Sequence, residues 1–214
     1  MITKLSSETV YRIAVGTGLF LSFLVSSTSV FAMAKPAPKT LKIGRVLASG
    51  TGCPNGAVSA KFDEQEGTVE VSLDRMAAEL DKTNPDGLDR KACSVAIPVL
   101  EVPAGHRVVV TQAKASGNYE LAAGIEGQAR METFLAGALG ETVIYPLESS
   151  TQDVASDLEM VQYHGPETEC GRPGSLRANL SSLVRKTLDS AGNTQESRLG
   201  LSELKLSLHL EPCS

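Results

Sequence analysis

"LKLSLHL", from Leu204 to Leu210, is the stretch that indicates the fold class. Leucine stands at every second position, and Lys205, Ser207 and His209 stand between the leucines. Successive side chains of a strand point to opposite faces, so this alternation predicts a β-strand with one buried face and one solvated face.

The same period of two recurs upstream of this strand. Polar or Gly/Pro-containing stretches separate the runs, as Asp63–Gly67 and Pro103–Gly105 do, and these are typical of turns. Many short strands joined by turns predict an all-β fold, an antiparallel β-sandwich of the immunoglobulin or jelly-roll type. The alternating runs are 58–62, 69–73, 95–99, 108–110, 120–128 and 142–147.

Two segments and one proline depart from this pattern. Residues 74–80 and 129–139 space their apolar side chains as a helix does, which predicts one or two short helices. Pro98 has no N–H to donate to a ladder, so its strand is expected to lie at a sheet edge or to contain a bulge.

The N-terminus has the features of an export signal. Lys4 and Arg12 precede an apolar run, Ile13–Val25, and Ala32-Met33-Ala34 forms an A-x-A cleavage site. We predict a signal peptide over residues 1–34, a Pro-containing extended linker over 35–40 and a single domain over 41–214. An uncleaved anchor is the alternative, although it needs about 20 apolar residues. The predicted location is periplasmic or secreted, with no transmembrane segment after residue 34.

Loss of the predicted signal peptide removes Lys4, Arg12 and Glu8. The 20 basic and 25 acidic residues of the whole chain then become 18 and 24. A mildly acidic chain without a basic run is not typical of nucleic-acid-binding proteins, which need clustered Lys and Arg.

Cys53, Cys93, Cys170 and Cys213 all follow the predicted signal peptide. An even number of cysteines in an exported chain predicts two disulfides, and four cysteines allow three pairings. We favour Cys53 with Cys93 and Cys170 with Cys213, because each pair brackets its own run of predicted strands. The cysteines do not show the C-x-x-C spacing that is typical of zinc sites.

"GTGCPNG", Gly50 to Gly56, raises two other possibilities. Its glycines do not match the spacing of a phosphate-binding loop, and a strand rather than a helix follows. Cys53 has no resolving cysteine or histidine nearby in sequence, so a catalytic thiol would need partners from elsewhere in the fold. A structural disulfide is the favoured interpretation.

The remaining candidates for chemistry are weak. His106, His164 and His209 have no second ligand at i+2 or i+4. The acidic groups Asp63/Glu64/Glu66 and Asp153/Asp157/Glu159 supply oxygens but do not match a calcium-loop pattern. Carboxylates from separate strands would suit glycoside hydrolysis, but aromatic residues make up only 4% of the chain. Asn179-Leu180-Ser181 is a glycosylation sequon.

Several blocks together resemble a known family. They are "SGTGCPNGAVSAKF", "DRKACSVAIPVLEVPAGHRVVV", "GNYELAAGIEG" and a final strand that ends in Cys213. They are similar to a family of small exported proteins of fungi and bacteria, the domain of unknown function DUF4360. The resemblance implies a secreted, disulfide-bonded, β-rich domain and brings no activity or site residues. The family leads us to expect one or two aromatic residues near the C-terminal strand, but this chain has no Trp.

Two functional hypotheses follow. The first is a non-enzymatic exported domain that binds an envelope or extracellular partner, without cofactor, catalytic residues or metal. The second is an exported hydrolase or metal-assisted enzyme whose site assembles from residues distant in sequence. No motif decides between them.

Overall fold

The computed structural model describes residues 40–81, 84, 87–148, 155–187 and 196–214, and the predicted signal peptide lies outside these residues. The described part of the chain contains twelve strands. In chain order, β1 to β12 span Lys42–Ile43, Leu47–Ser49, Val58–Asp63, Thr68–Leu73, Ala77–Leu80, Leu88–Glu101, His106–Glu120, Ile125–Leu135, Glu141–Leu147, Ser156–Tyr163, Gly174–Lys186 and Ser197–Pro212.

The strands form two antiparallel sheets of six strands each. Sheet A has the order β1-β6-β11-β8-β9, with β2 also paired to β6. Sheet B has the order β10-β7-β12-β4-β3, with β5 also paired to β12. The predicted all-β sandwich with antiparallel strands and two disulfides is confirmed.

The core lies between the two sheets, where alternate residues of each strand point inward. Leu204 and Leu206 of the C-terminal pattern are almost fully buried, while Lys205 and Ser207 between them retain solvent exposure. Burial of these side chains supplies the main favourable contribution to folding. The inward-facing residues include Val95, Ile97, Val99, Ala129, Met131, Leu176, Ala178 and Leu180 of sheet A, and Val69, Val71, Val108, Val110, Ala113, Ala115, Leu158, Met160, Leu199 and Leu201 of sheet B.

The two predicted helices are wrong. Within 74–80 the chain forms β5, and most of 129–139 belongs to β8, so the described residues contain no helix. Ala, Met and Leu favour helices intrinsically, but pairing with β12 and β11 buries every second side chain of these segments. The side chains buried in this way are Ala78, Leu80, Ala129, Met131 and Thr133. Among the described residues, no helix has the length and apolar character needed to cross a membrane.

Pro98 lies in β6, which is flanked by β11 on one side and by β1 and β2 on the other. Its carbonyl accepts a hydrogen bond of 2.7 Å from the N–H of Gly44, so its nitrogen faces the same side. On that side the ladder is interrupted, because the chain leaves β6 between Ile43 and Leu47. The missing N–H therefore falls where no partner strand needs it.

Each of the two disulfides joins a loop residue to a residue in or just after a strand. Cys53 and Cys93 are 40 residues apart, and both are almost fully buried. Cys170 and Cys213 are 43 residues apart and join the segment before β11 to the C-terminus. Cys170 is exposed to solvent. The two crosslinks differ mainly in their access to water.

Candidate functional site

A row of polar side chains crosses the outer face of sheet A. Ser49 pairs with Ser94, Ser94 with Asn179, Asn179 with Glu132, and Glu132 with Thr142. Each of these residues alternates with a neighbour that points into the core, so all five point outward. Five strands at about 4.8 Å spacing give the row a length of about 19 Å.

Small residues next to this polar row open a groove. Ala92 and Ser181 lie opposite each other on β6 and β11, and Arg130 of β8 completes their row. Because Ala and Ser side chains are short, the long side chains around them stand above a low floor. The groove has a volume of about 270 Å³ and is lined by Ser49, Gly50, Arg90, Ala92, Cys93, Ser94, Arg130, Glu132, Asn179, Leu180 and Ser181.

The segment 50–53 forms one end of this groove and explains its unusual composition. Thr51 accepts a hydrogen bond of 3.0 Å through Oγ1 from the N–H of Ala92. The N–H of Gly52 donates to the carbonyl of Ala92 at 2.9 Å. A Cβ on Gly50, which has φ +140°, would overlap that same carbonyl oxygen. The glycines thus allow the chain to lie directly against β6, where Cys53 meets Cys93.

Glu132 is the centre of a hydrogen-bond cluster in the groove. Its Oε2 accepts a hydrogen bond from Nδ2 of Asn179 at 3.2 Å and lies 3.4 Å from a terminal guanidinium nitrogen of Arg130. The same guanidinium nitrogen is 3.4 Å from Oγ1 of Thr142. The cluster fixes one cation, one carboxylate and one amide on the surface of the sheet.

Asn179, the residue of the sequon, lies on the central strand β11 and lines the groove. Its side chain is half-buried and bound to Glu132. A glycan attached to Asn179 would cover the groove, so glycosylation and ligand binding at this place exclude each other.

The three histidines are placed along β7 rather than in the groove. His106 begins β7, His209 lies opposite Val109, and the N–H of His164 donates to the carbonyl of Thr111. His164 has a left-handed backbone with φ 63°. Within the described ranges, no group of three or more His, Cys, Asp or Glu side chains is arranged to hold a metal ion.

The first of the acidic groups noted in the sequence, Asp63/Glu64/Glu66, lies in the turn between β3 and β4, where Asp63 stabilises the turn. Oδ1 of Asp63 accepts hydrogen bonds from the N–H groups of Gln65 at 2.9 Å and Glu66 at 3.1 Å. The bonds from Glu66 and Gln65 hold the pKa of Asp63 below its ordinary value of 3.8. In the second group, Glu159 forms an ion pair with Lys114, whereas Asp153 lies outside the described residues.

A second charged pair lies on the outer face of sheet B. Lys205 and Glu70 are directly opposite each other on β12 and β4, and Nζ is 2.9 Å from Oε1. The hydrogen bond and the positive charge of Lys205 lower the pKa of Glu70. The same hydrogen bond and the negative charge of Glu70 raise the pKa of Lys205. Both groups are exposed, so the pair is well screened by water.

A family model described as "Domain of unknown function (DUF4360)" matches residues 39–213. The chain belongs to the DUF4360 family. The resemblance inferred from the cysteine- and glycine-containing blocks is therefore confirmed. No curated protein matches this DUF4360 chain.

Two solved structures align with this DUF4360 chain at low similarity. One is TmCBM61 in complex with β-1,4-galactotriose, with 13% identity over 78% of this chain and 88% of that chain, and a TM-score of 0.26. The other is the enzymatically active domain of tailspike protein 4 of bacteriophage CBA120, with 11% identity and a TM-score of 0.24. That alignment covers 78% of this chain but only 19% of the tailspike chain.

The groove of this DUF4360 domain contains residues that sequence reasoning did not select. Arg90, Ser94, Arg130 and Glu132 all stand at outward positions of alternating strands, which is the pattern of an ordinary solvated face. Only the sequon drew attention to Asn179. Their common feature is the register that brings them together, and the sequence does not reveal that register.

Proposed function

We propose that this DUF4360 domain is an exported binding module and that the outer face of sheet A is its contact surface. The observation that carries the proposal is the groove between Arg90, Arg130 and Glu132, with its floor of small side chains. Hydroxyl, amide, carboxylate and guanidinium groups converge there on β6, β11 and β8, which are paired with other strands on both sides. Such preorganised polar groups favour binding because few side chains must be ordered when the ligand arrives.

The chemistry of the groove supports binding rather than turnover. Glycoside hydrolysis by the usual route needs two carboxyl groups roughly 5 to 9.5 Å apart. Among the described residues that line the groove, Glu132 is the one carboxylate, and Arg130 and Asn179 already hold it. One carboxylate that already contacts two neighbours does not supply the pair that this route needs.

The two disulfides support export. Disulfides persist in oxidising compartments, which include the bacterial periplasm and the extracellular space. The charged start, apolar run and A-x-A site of residues 1–34 add a sequence argument for the same location.

The experiment that tests the contact surface uses a blocked groove. The oxidised protein is sedimented with insoluble chitin, cellulose and peptidoglycan, and its thermal unfolding is followed with soluble polysaccharides and peptides. Ser181→Trp places a large side chain on the groove floor, and Ser72→Trp makes the same change on the exposed outer face of sheet B. Circular dichroism establishes that both variants keep the β fold.

We expect at least one probe to bind the wild-type protein and Ser72→Trp but not Ser181→Trp. A ligand at 100 times its Kd would raise the free energy of unfolding by about 2.7 kcal/mol, which is easily measured. Equal binding by both variants would place the contact elsewhere on the molecule and contradict the proposal, as would the absence of binding to every probe.

A further inference from the structure

The charge of the outer face of sheet A is opposite to that of the whole chain. The chain has a formal net charge of −5. On β6, β8 and β11, the three longest strands of sheet A, the outward positions contain four arginines and two glutamates, so this part of the face is positive by two charges. The charged residues are Arg90, Glu126, Arg130, Glu132, Arg177 and Arg185.

Two of the four arginines are balanced within the face and two are not. Glu126 lies 2.6 Å from Arg185, and Glu132 lies 3.4 Å from Arg130. Arg90 and Arg177 make no ion pair with any residue that the structure describes. These two guanidinium groups lie on opposite sides of the polar row. Arg177 is the next outward residue after Asn179 on β11, and Arg90 is the second outward residue after Ser94 in the opposite direction across the sheet.

The spacing of these groups suits an extended ligand. The polar row supplies hydroxyl and amide groups over about 19 Å, which is longer than a single sugar or amino-acid side chain. Arg90 lies opposite Leu183, six residues from Arg177 along the strand direction, so the two unpaired arginines stand about 20 Å apart on opposite sides of this row. Phe134 lies directly opposite Arg177 and keeps part of its ring exposed. An aromatic ring of this kind offers an apolar surface to the face of a sugar ring.

We infer that the outer face of sheet A binds an acidic polysaccharide, with Arg90 and Arg177 contacting its carboxylate or sulfate groups and the polar row contacting its hydroxyls. This inference rests on the proposed function. Planar guanidinium groups bind carboxylates in a bidentate manner, and short hydroxyl and amide side chains match the sugar hydroxyls. Nucleic acid fits less well, because its dense phosphate charge demands clustered cations.

Polygalacturonate and its fully methyl-esterified form are the probes that test the inference. The two polymers share one backbone and differ in charge. Biolayer interferometry with the immobilised, oxidised full chain measures affinity for each. The double variant Arg90→Gln/Arg177→Gln removes the free cations of sheet A. Arg45→Gln/Arg75→Gln makes the same charge change at two exposed arginines that also lack an ion pair among the described residues.

We expect polygalacturonate to bind at least about tenfold more tightly than its methyl ester, and to weaken as salt rises. Arg90→Gln/Arg177→Gln should lower the affinity at least about tenfold, and Arg45→Gln/Arg75→Gln less than about twofold. Equal losses in the two double variants would indicate non-specific attraction and overturn the inference, as would equal binding of the two polymers or no binding of polygalacturonate. If Ser181→Trp still abolishes binding of another probe, the proposed function stands and only the acidic ligand is wrong.

Discussion

The side-chain amide of Asn179 donates a hydrogen bond of 3.2 Å to Glu132, directly across the ladder between β11 and β8. The same carboxylate oxygen lies 3.4 Å from Arg130. One acidic group therefore both orients an amide and neutralises a cation on the surface that we propose as the binding face. The charge that this face presents to a ligand depends on Glu132.

Glu132→Gln is expected to strengthen the binding of polygalacturonate. The change releases the guanidinium of Arg130 and raises the net charge of the face, while the amide of Gln keeps a side chain of the same size. An exposed ion pair contributes about 0.2 to 1 kcal/mol, so the affinity should rise about 1.4- to fivefold in biolayer interferometry. Glu203→Gln on sheet B is the matched control, and an equal gain there would attribute the effect to the charge of the whole chain.

Gly117→Ala is expected to destabilise the fold where β7 meets β12. Gly117 lies opposite Leu201, and a Cβ at this position would overlap the carbonyl oxygen of Gly200. Because this neighbour is backbone in the centre of sheet B, the strands must separate, which costs about 1 to 3 kcal/mol. Urea unfolding measures the loss.

Gly200→Ala provides the control for this prediction. Its Cβ would lie 3.5 Å from that of Ala77, which is an ordinary contact. The free energy of unfolding should therefore change by less than about 1 kcal/mol. Equal losses in the two variants would show that the close approach at Gly117 does not account for the effect.

Alternating patterns such as Leu204–Leu210 predicted individual strands well, because one buried face leaves a clear period of two. At 129–139 the spacing of the apolar residues predicted a helix, but contact with β11 imposed a strand. The groove was beyond prediction. It depends on the register of five strands whose residues, from Ser49 to Asn179, are widely separated in sequence. Local periodicity contains no information on which strands become neighbours.

Limited reduction is expected to open Cys170–Cys213 before Cys53–Cys93. Cys170 is exposed, whereas Cys53 and Cys93 are 2% and 1% exposed. Thiol exchange needs a thiolate to reach a sulfur atom, so access controls the rate in the folded protein. Alkylation after mild treatment with dithiothreitol, followed by peptide mapping, should label Cys170 and Cys213 first.

The buried crosslink between Cys53 and Cys93 closes a loop of 40 residues. In the chain-entropy model a loop of this length contributes about 4 kcal/mol. Cys53→Ala/Cys93→Ala should accordingly lose about that amount in urea unfolding. Labelling of Cys53 and Cys93 ahead of Cys170 would contradict the predicted order.

Asp63 is expected to contribute to the loss of stability in acid. Its pKa is lowered in the folded protein by hydrogen bonds from the N–H groups of Glu66 and Gln65. A lowered pKa stabilises the fold at pH values above the unfolded pKa, and this stabilisation disappears as the pH falls through the folded pKa. In Asp63→Asn the melting temperature should therefore fall less between pH 5 and acidic values near 3 than in the wild-type protein.

Glu64→Gln is the control for the pH experiment, since it removes a carboxylate from the same turn and leaves the hydrogen bonds to Asp63 in place. Its melting temperature should follow the wild-type pH profile. If Asp63→Asn followed that profile as well, the hydrogen bonds within the turn would not account for acid sensitivity.

Thr133 and Gln162 are expected to be energetically coupled, because they form a buried hydrogen bond between the sheets. Oγ1 of Thr133 donates to Oε1 of Gln162 at 2.9 Å, and both residues are at most 3% exposed. Gln162 extends the contact by donating to Glu141 at 3.2 Å. Removal of one partner leaves a buried polar group without its bond, which costs about 1 to 3 kcal/mol.

A double-mutant cycle with Thr133→Val and Gln162→Met tests this coupling, since each replacement nearly preserves the shape of the side chain. We expect the double variant to be at least about 1 kcal/mol more stable in urea than the sum of the two single losses predicts, because neither partner is then left unsatisfied. Additive losses would mean that water reaches these groups at the edge between β8 and β10. The same cycle with Arg198→Gln and Glu79→Gln, an exposed ion pair of 3.2 Å, should give coupling below about 1 kcal/mol.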